Sequence, residues 1–331
     1  MKVLVCGGAG YIGSHTVAAL VEAGEEVIVF DNLSTGHRGS VPKEASLYVG
    51  DLRNSVDLEK VFYENEIDAV IDFAADSQVG ESVTDPLKYY DNNVYGTISL
   101  LKMMVKFNVK HIVFSSTAAT YGEPEQIPIK ESDKTEPTSP YGESKLTVER
   151  MLRWVDNAHG ITYTALRYFN AAGAHISGKI GEDHTPESHL IPIVLQVANG
   201  QREKIMMFGD DYETEDGTCV RDYIHVSDLS DAHILAVQRL LKGGDSRIFN
   251  LGNGKGFSVK EIVEMAREIT GEDIDSQIAP RRAGDPGILI ATADNAISEL
   301  GWKPKYDSVK EIIGSAWKWH KNNPNGYGDK K

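Results

Sequence analysis

A short apolar run, Lys2-Val3-Leu4-Val5-Cys6, stops abruptly at glycines, and a periodic helical segment begins within a few residues of it. This junction constrains the fold more than any other stretch. A continuous apolar run ended by glycines predicts a buried parallel strand. The segment from Ser14 to Ala23 reads as a helix, and Glu26 to Phe30 as a second strand ending at Asp31. Gly7, Gly10 and Gly13 therefore lie in the turn of a strand–helix–strand unit. Glycines there let backbone approach a pyrophosphate at the helix N-terminus, where free N–H groups and the helix dipole favour anions. The spacing is Gly-x-x-Gly-x-x-Gly, a departure from the Gly-x-Gly-x-x-Gly of the best-known dinucleotide fingerprint.

Asp31 falls where a carboxylate accepts hydrogen bonds from adenosine ribose hydroxyls, its structural alternative being a strand-end cap. A carboxylate there repels a 2′-phosphate, which favours NAD over NADP. Strand and helix then alternate over Ser46–Val49, Val56–Glu64, Ala69–Phe73, Pro86–Phe107, His111–Ser115, Pro140–Ala158 and Thr162–Tyr168. Such alternation predicts an α/β fold with a Rossmann-like, doubly wound parallel sheet. Beyond Asn170 the pattern weakens, with helices expected at Leu190–Asn199, Ser227–Leu241, Ser258–Thr270 and Val309–His320. Strands are expected at Val220–Val226 and Ile248–Leu251, and a frayed tail from Asn322 to Lys331. The chain thus divides into a dinucleotide-binding domain over 1–172 and a smaller C-terminal α/β substrate domain over 173–331. The region around 219–252 is expected to return to the first domain.

A formal charge of −15 argues against nucleic-acid or anionic-membrane partners, and it requires local cationic groups for any anionic ligand. The two cysteines, Cys6 and Cys219, point to a reducing compartment. The chain runs from Met1-Lys2 straight into a strand, and no stretch approaches the roughly 20 apolar residues of a membrane span. A cytoplasmic, soluble protein is expected.

Ser139-Pro140-Tyr141-Gly142-Glu143-Ser144-Lys145 carries the chemistry. Ser139 suits an N-cap and Pro140 the first helical position, so Tyr141 and Lys145 share one helix face. A neighbouring ammonium stabilises phenolate, making Tyr141 a proton acceptor for a sugar hydroxyl. The same tyrosine–lysine spacing recurs at Tyr306/Lys310 and Tyr327/Lys331, so context must choose among them. The run Phe114 to Gly122 ends a strand in consecutive hydroxyls, which either cap the local backbone or bridge a substrate oxygen to the tyrosine. Gly50-Asp51-Leu52 and Phe73-Ala74-Ala75 end two further strands with small residues that leave room for a ligand.

GGAGYIGSH, DNL, GDLR, FAA, YYDNNVYGT, FSSTAATYGEP, SPYGESKL, LRYFNAAGA, GEDH, DGTCVRDYIHVSDL, FNLGNG and RRAGD follow in order along the chain. In that order they resemble the extended short-chain dehydrogenase/reductase family, and within it the UDP-hexose 4-epimerases, from residue 1 to about 320. The resemblance implies an NAD-dependent isomerase that interconverts UDP-galactose and UDP-glucose through a 4-keto intermediate. It makes Tyr141 the base, Lys145 its partner and Thr117 the bridging hydroxyl. Gly7, Gly10, Tyr11, Ile12, Gly13, Asp31 and Asn32 become NAD contacts, as do Asp51, Leu52, Phe73, Ala74, Asn92, Tyr141, Lys145 and Phe169. Thr117, Tyr141, Asn170, His189, Leu190, Arg221, Arg282 and Asp285 become UDP-sugar contacts, with Arg221 and Arg282 pairing with the diphosphate. A homodimer is implied by the resemblance alone.

Two departures stand out. Many of these epimerases read His-Phe-Ala-Gly-Leu-Lys-Ala-Val where this chain has Asp72-Phe73-Ala74-Ala75-Asp76-Ser77-Gln78-Val79, so a lysine near the cofactor is missing. Leu289 falls near a position where a smaller residue goes with acceptance of N-acetylated sugars. The related 4,6-dehydratases need Asp-Glu after the bridging hydroxyl, whereas Ala118-Ala119 follow Thr117 here. A non-catalytic NAD-binding regulator would have no need to keep the tyrosine, lysine and hydroxyl together. Glu182, Asp183, His184 and His189 lack helical ligand spacing and no cysteine joins them, so no metal centre is expected.

Overall fold

The computed structural model describes residues 1–281 and 286–329. In chain order its strands are β1 (Lys2–Cys6), β2 (Glu26–Asp31), β3 (Ser46–Val49), β4 (Ala69–Asp72), β5 (His111–Thr117), β6 (Thr162–Tyr168) and β7 (Asn170–Ala172). There follow β8 (Ile205–Phe208), β9 (Val220–His225), β10 (Arg247–Leu251), β11 (Gly256–Ser258), β12 (Ser276–Ala279) and β13 (Ile288–Leu289). Seven of them form one parallel sheet in the order β10-β6-β5-β4-β1-β2-β3. The order reverses direction between β1 and β4, and a ligand crevice opens at the carboxyl ends of strands where this happens.

Helices cover both faces of this sheet, which is why its strands read as unbroken apolar runs. Successive side chains of a strand point to opposite faces. Val3 and Val5 accordingly pack toward Leu20, Leu229 and Val237, from the helices Tyr11–Glu22 and Val226–Leu241. Leu4 and Cys6 pack toward Leu58, Leu100 and Val148, from the helices Ser55–Glu64, Gly96–Lys106 and Pro140–His159.

The remaining strands form two smaller sheets. β9 pairs with β7, β11 and β13, and β8 pairs with β12. Ile191, Leu195, Tyr223, Ile262, Ile312 and Ile313 fill the core beneath, drawn largely from the helices Leu190–Ala198, Val259–Thr270 and Val309–Asn322. Ser258 and Glu261 start the middle helix with a reciprocal capping box. No helix among the described residues is long and apolar enough to cross a membrane.

Two expectations change. The helix predicted over 86–107 is broken by a wider, π-type turn at Tyr90–Tyr95. That turn aims Asn93 inward, where its amide bonds both the backbone of Asp76 and Ser144 Oγ. The end of the chain, expected to fray, is docked as far as residue 329. Tyr327 stacks on His37 at 4.9 Å, its hydroxyl donates to the Gly181 carbonyl at 3.1 Å, and Asp329 accepts from the Gly39 N–H at 3.3 Å.

Candidate active site

A cleft of about 1020 Å³ runs over the carboxyl ends of β1, β4 and β5. Its floor is the glycine turn. Gly7 has φ +72°, and a Cβ there would stand 2.7 Å from the Ala74 nitrogen; a Cβ on Gly13 would stand 2.1 Å from the Gly7 carbonyl oxygen. These two positions admit only hydrogen, because backbone meets backbone. Gly10 stands at the N-cap of the helix Tyr11–Glu22 and brings no side chain to it. The first-turn N–H groups therefore face the cleft, in the manner of a phosphate site.

Asp31, at the tip of β2, is buried, and its oxygens accept from the N–H groups of Ala9 at 2.9 Å and Leu33 at 2.8 Å. Burial raises its pKa and these backbone donors partly offset it. The carboxylate thus has two roles, closing the glycine turn and lining the cleft. Asn32 donates to Asp51, which Arg53 grips with two nitrogens at 2.9 and 2.7 Å. That grip holds Asp51 well below the usual carboxylate range. Leu52, Phe73, Ala74, Asn92 and Phe169 line the same wall, as do Tyr11 and Ile12. Where the sequence lacks the expected lysine, Ser77 and Gln78 face the cleft.

The catalytic candidates converge opposite the glycine turn. Ser139 caps the helix Pro140–His159 by accepting from the Gly142 N–H at 3.2 Å, and Pro140 occupies the first turn. Tyr141, Lys145 and Thr117 all line the cleft. Burial raises the Tyr141 pKa, and a hydrogen bond from the Thr117 hydroxyl pulls the other way. The expected fall in the tyrosine's pKa is therefore reversed, since desolvation outweighs the hydrogen bond. Lys145 is buried too, and desolvation lowers it to about 8 against the opposing pull of Asp72 and Glu149. Its Nζ donates to the Ser115 carbonyl at 2.9 Å and lies 4.8 Å from the centre of the Phe114 ring. Next to Thr117, Ser115 Oγ and Tyr168 Oη share a 2.5 Å hydrogen bond.

The expected sugar-side residues are less uniform. Asn170 and His189 line the cleft. One Asn170 amide N–H is taken by the Asp222 carbonyl at 3.0 Å, and His189 is bonded to Glu182. Leu190 instead packs on the second core, and Arg221 Nη1 donates to the Val220 carbonyl at 2.8 Å. Neither is among the described residues that line the cleft. Arg282 and Asp285 lie outside the described residues. Tyr306 and Tyr327, which share the tyrosine–lysine spacing, stack on His225 and His37.

Three acidic residues, two buried behind Lys145 and one on the cleft wall, were not singled out from the sequence. Asp72 ends β4 fully buried, accepts from the Ala74 N–H at 3.1 Å, and is pushed up to about 6 by burial. A carboxylate ending a buried strand was the available signal. Glu149, one turn after Lys145, is buried against Arg167. Glu187 reaches the cleft beside His184 only because the chain turns between them.

A seven-stranded parallel sheet with a glycine turn at its switch point and a tyrosine and lysine one helical turn apart across the cleft defines a dinucleotide-dependent enzyme of the short-chain dehydrogenase type. The chain belongs to the NAD dependent epimerase/dehydratase family, whose model matches residues 3–252. It is 61% identical over 327 residues to a UDP-glucose 4-epimerase of Halalkalibacterium halodurans, covering 99% of this chain and 98% of that one. A crystal structure of a UDP-glucose 4-epimerase superposes with a TM-score of 0.98 at 56% identity, covering 99% and 100% of the two chains. The Bifidobacterium longum UDP-glucose 4-epimerase, crystallised with NAD+ and UDP, superposes with a TM-score of 0.94 at 43% identity, covering 98% and 100%.

Proposed function

We propose that this chain is a UDP-glucose 4-epimerase, interconverting UDP-galactose and UDP-glucose through a 4-keto sugar. The convergence of Tyr141, Thr117 and Lys145 on one cleft with the glycine turn carries this assignment. The close-packed glycine turn, the helix N-terminus and Asp31 fit NAD, with Asp31 set to receive the ribose hydroxyls. NAD, when bound, supplies a hydride acceptor and donor.

The chain supplies position and proton transfer. Tyr141 Oη takes the proton of the sugar 4-hydroxyl and returns it at the end of the cycle. Thr117, already hydrogen-bonded to that phenol, bridges it to the sugar oxygen. Lys145, anchored by the Ser115 carbonyl, brings a positive charge toward the developing phenolate. Asn170 and His189 border the sugar nucleotide, and Arg221, Leu190, Arg282 and Asp285 are assigned to it by family resemblance. Because the sugar leaves with the oxidation state it brought, no external oxidant is consumed. Ala118 and Ala119, in the tight turn after Thr117, carry no acid or base for removing water from the sugar.

We further propose a homodimer, supported by the large apolar side chains of Trp154 and Tyr95 left exposed on the described monomer, and a cytoplasmic location, in line with a chain of only two cysteines. Sedimentation at micromolar concentration measures the dimer directly.

Purified protein given UDP-galactose should form UDP-glucose, read by coupled oxidation of the product. The Tyr141→Phe variant should retain NAD and lose turnover. Accumulation of a 4-keto-6-deoxy product, or near-normal turnover in Tyr141→Phe, would overturn the assignment. The same assay with UDP-N-acetylgalactosamine measures the range of sugars accepted.

A further inference from the structure

Between β7 and the helix Leu190–Ala198, four side chains turn toward one point: Glu182, His184, Glu187 and His189. One ligating atom from each lies within 4.8 Å of the other three. His184 Nδ1 stands 3.3 Å from Glu182 Oε1 and 3.7 Å from Glu187 Oε2. His189 Nδ1 stands 3.9 Å from Glu187 Oε1 and hydrogen-bonds Glu182 Oε1. Three of these separations exceed the usual N–H···O range of about 2.7–3.2 Å; the fourth, from His189 to Glu182, is a short hydrogen bond that must lengthen for both to ligate one ion. Those three lie near or above the spacing of about 3.4 Å between neighbouring ligands when four atoms sit tetrahedrally at about 2.0–2.1 Å from one ion.

The surroundings hold the four ligands in place. Glu182 is almost fully buried, and its backbone carbonyl accepts from Trp319 Nε1 at 3.2 Å. The N–H groups of Ser188 and His189 donate to Glu187 Oε1 at 2.8 and 2.9 Å, which leaves Oε2 toward His184. The His184 ring meets Tyr11 edge-on at 6.2 Å, so the cluster stands beside the glycine turn. Sequence spacing argued against a metal centre because no helix pairs these residues. The fold supplies the missing proximity through the irregular segment before the helix Leu190–Ala198.

We propose that Glu182, His184, Glu187 and His189 form a binding site for one divalent first-row transition-metal ion, with zinc the best match. Two imidazoles select against magnesium and calcium, which take oxygen ligands. Two carboxylates balance the charge of a dication, and tetrahedral placement suits zinc. The ion clamps residues 182–189 against the cleft wall beside Tyr11. Because His184, Glu187 and His189 also line the cleft, metal retention is read without any sugar nucleotide, so its outcome is separate from that of the proposed function.

Metal content after dialysis of the full chain against micromolar Zn²⁺, and the visible spectrum after loading with Co²⁺, test the site. The wild type should retain about one equivalent of zinc and give the intense visible bands of low-coordinate cobalt. Zn²⁺ should also raise the melting temperature, because it binds the folded chain. His184→Gln and His189→Gln should each weaken retention at least about tenfold. Glu182→Gln changes a buried group and can fail to fold, so the two histidine variants, checked by circular dichroism, carry the decision. His159→Gln, at the exposed end of the helix Pro140–His159, should bind as the wild type does. No zinc retained by the folded wild type, retention unchanged in His184→Gln and His189→Gln, or an equal loss in His159→Gln would each overturn the proposal.

Discussion

Lys145 Nζ donates to the Ser115 carbonyl at 2.9 Å, so the helix that carries Tyr141 is tied to the strand that ends in Thr117. Burial has lowered the lysine to about 8, and Asp72 and Glu149 limit the fall. An ammonium with that pKa is present below pH 8 and is lost as pH rises through it. Turnover should therefore decline on the alkaline side with a midpoint near 8. Asp72→Asn removes a charge that favours the ammonium, so the decline should move to lower pH. An alkaline limb at the same pH in both proteins would show that Lys145 does not set it. Lys145→Met should lower kcat by about 100-fold or more below pH 8, and by less where the wild type has itself lost the ammonium.

The three glycines of the turn look equivalent in the sequence, and the structure ranks them. A Cβ on Gly13 meets the Gly7 carbonyl oxygen at 2.1 Å, whereas one on Gly10 has that oxygen as its only near neighbour, at 3.4 Å. The first contact forces the turn to open; the second is close to ordinary packing. Gly13→Ala should cost NAD affinity by at least about tenfold, while Gly10→Ala should cost much less, unless the pyrophosphate itself needs the space at Gly10. Calorimetric titration of NAD into the two variants separates these cases.

That difference marks what the chain discloses before it folds. The strands of the parallel sheet were legible because each is buried on both faces and reads as an apolar run, and the order of strand and helix then restricts the topology. The shared face of Tyr141 and Lys145 was legible because a capped helix fixes it locally, whereas Thr117 stood out from its run of hydroxyls only through the family resemblance. Features made by distant segments were not legible. Tyr327 docks on His37 and Gly181 across most of the chain, a contact that no local periodicity encodes. Short strands such as β7 and β13 exist because β9 offers them an edge, and their own residues carry little pattern. Leu190 sits at the expected position but packs into the second core, which only the helix direction determines.

Glu149 on the catalytic helix and Arg167 on β6 form a buried ion pair with two parallel contacts, at 2.9 and 2.5 Å. Ser116 donates to the same carboxylate at 2.5 Å, and Arg167 donates to Tyr121 Oη at 2.9 Å. Removing one partner leaves the other charged and desolvated. Glu149→Leu should therefore destabilise the fold by about 3–5 kcal/mol in urea melts. The double variant Glu149→Leu/Arg167→Met should cost less than the sum of the single changes, because no charge is stranded. Strict additivity would mean that the pair is not coupled.

His233 shows how burial sets the acid limit of this fold. It is fully buried on the helix Val226–Leu241, its Nδ1 donates to the Leu229 carbonyl at 2.7 Å, and Phe73 and Tyr168 pack on the ring. Burial lowers its pKa to about 4, below the unfolded value near 6.5. Between those values the unfolded chain binds the proton and the folded chain does not. Stability that is complete above about pH 6.5 is thus lost as pH falls toward 4. For this one group the loss between pH 7 and pH 5 is about 2 kcal/mol. Asp72 and Asp222, raised by burial to about 6 and about 7, act in the opposite direction over part of the same window. The whole-protein slope therefore mixes both signs, and only a difference isolates the histidine. His233→Asn lowers stability at pH 7 through lost packing, but its further loss on going to pH 5 should be smaller than the wild type's by about 2 kcal/mol. Urea melts at the two pH values measure that difference, and an unchanged slope would place the titrating group elsewhere.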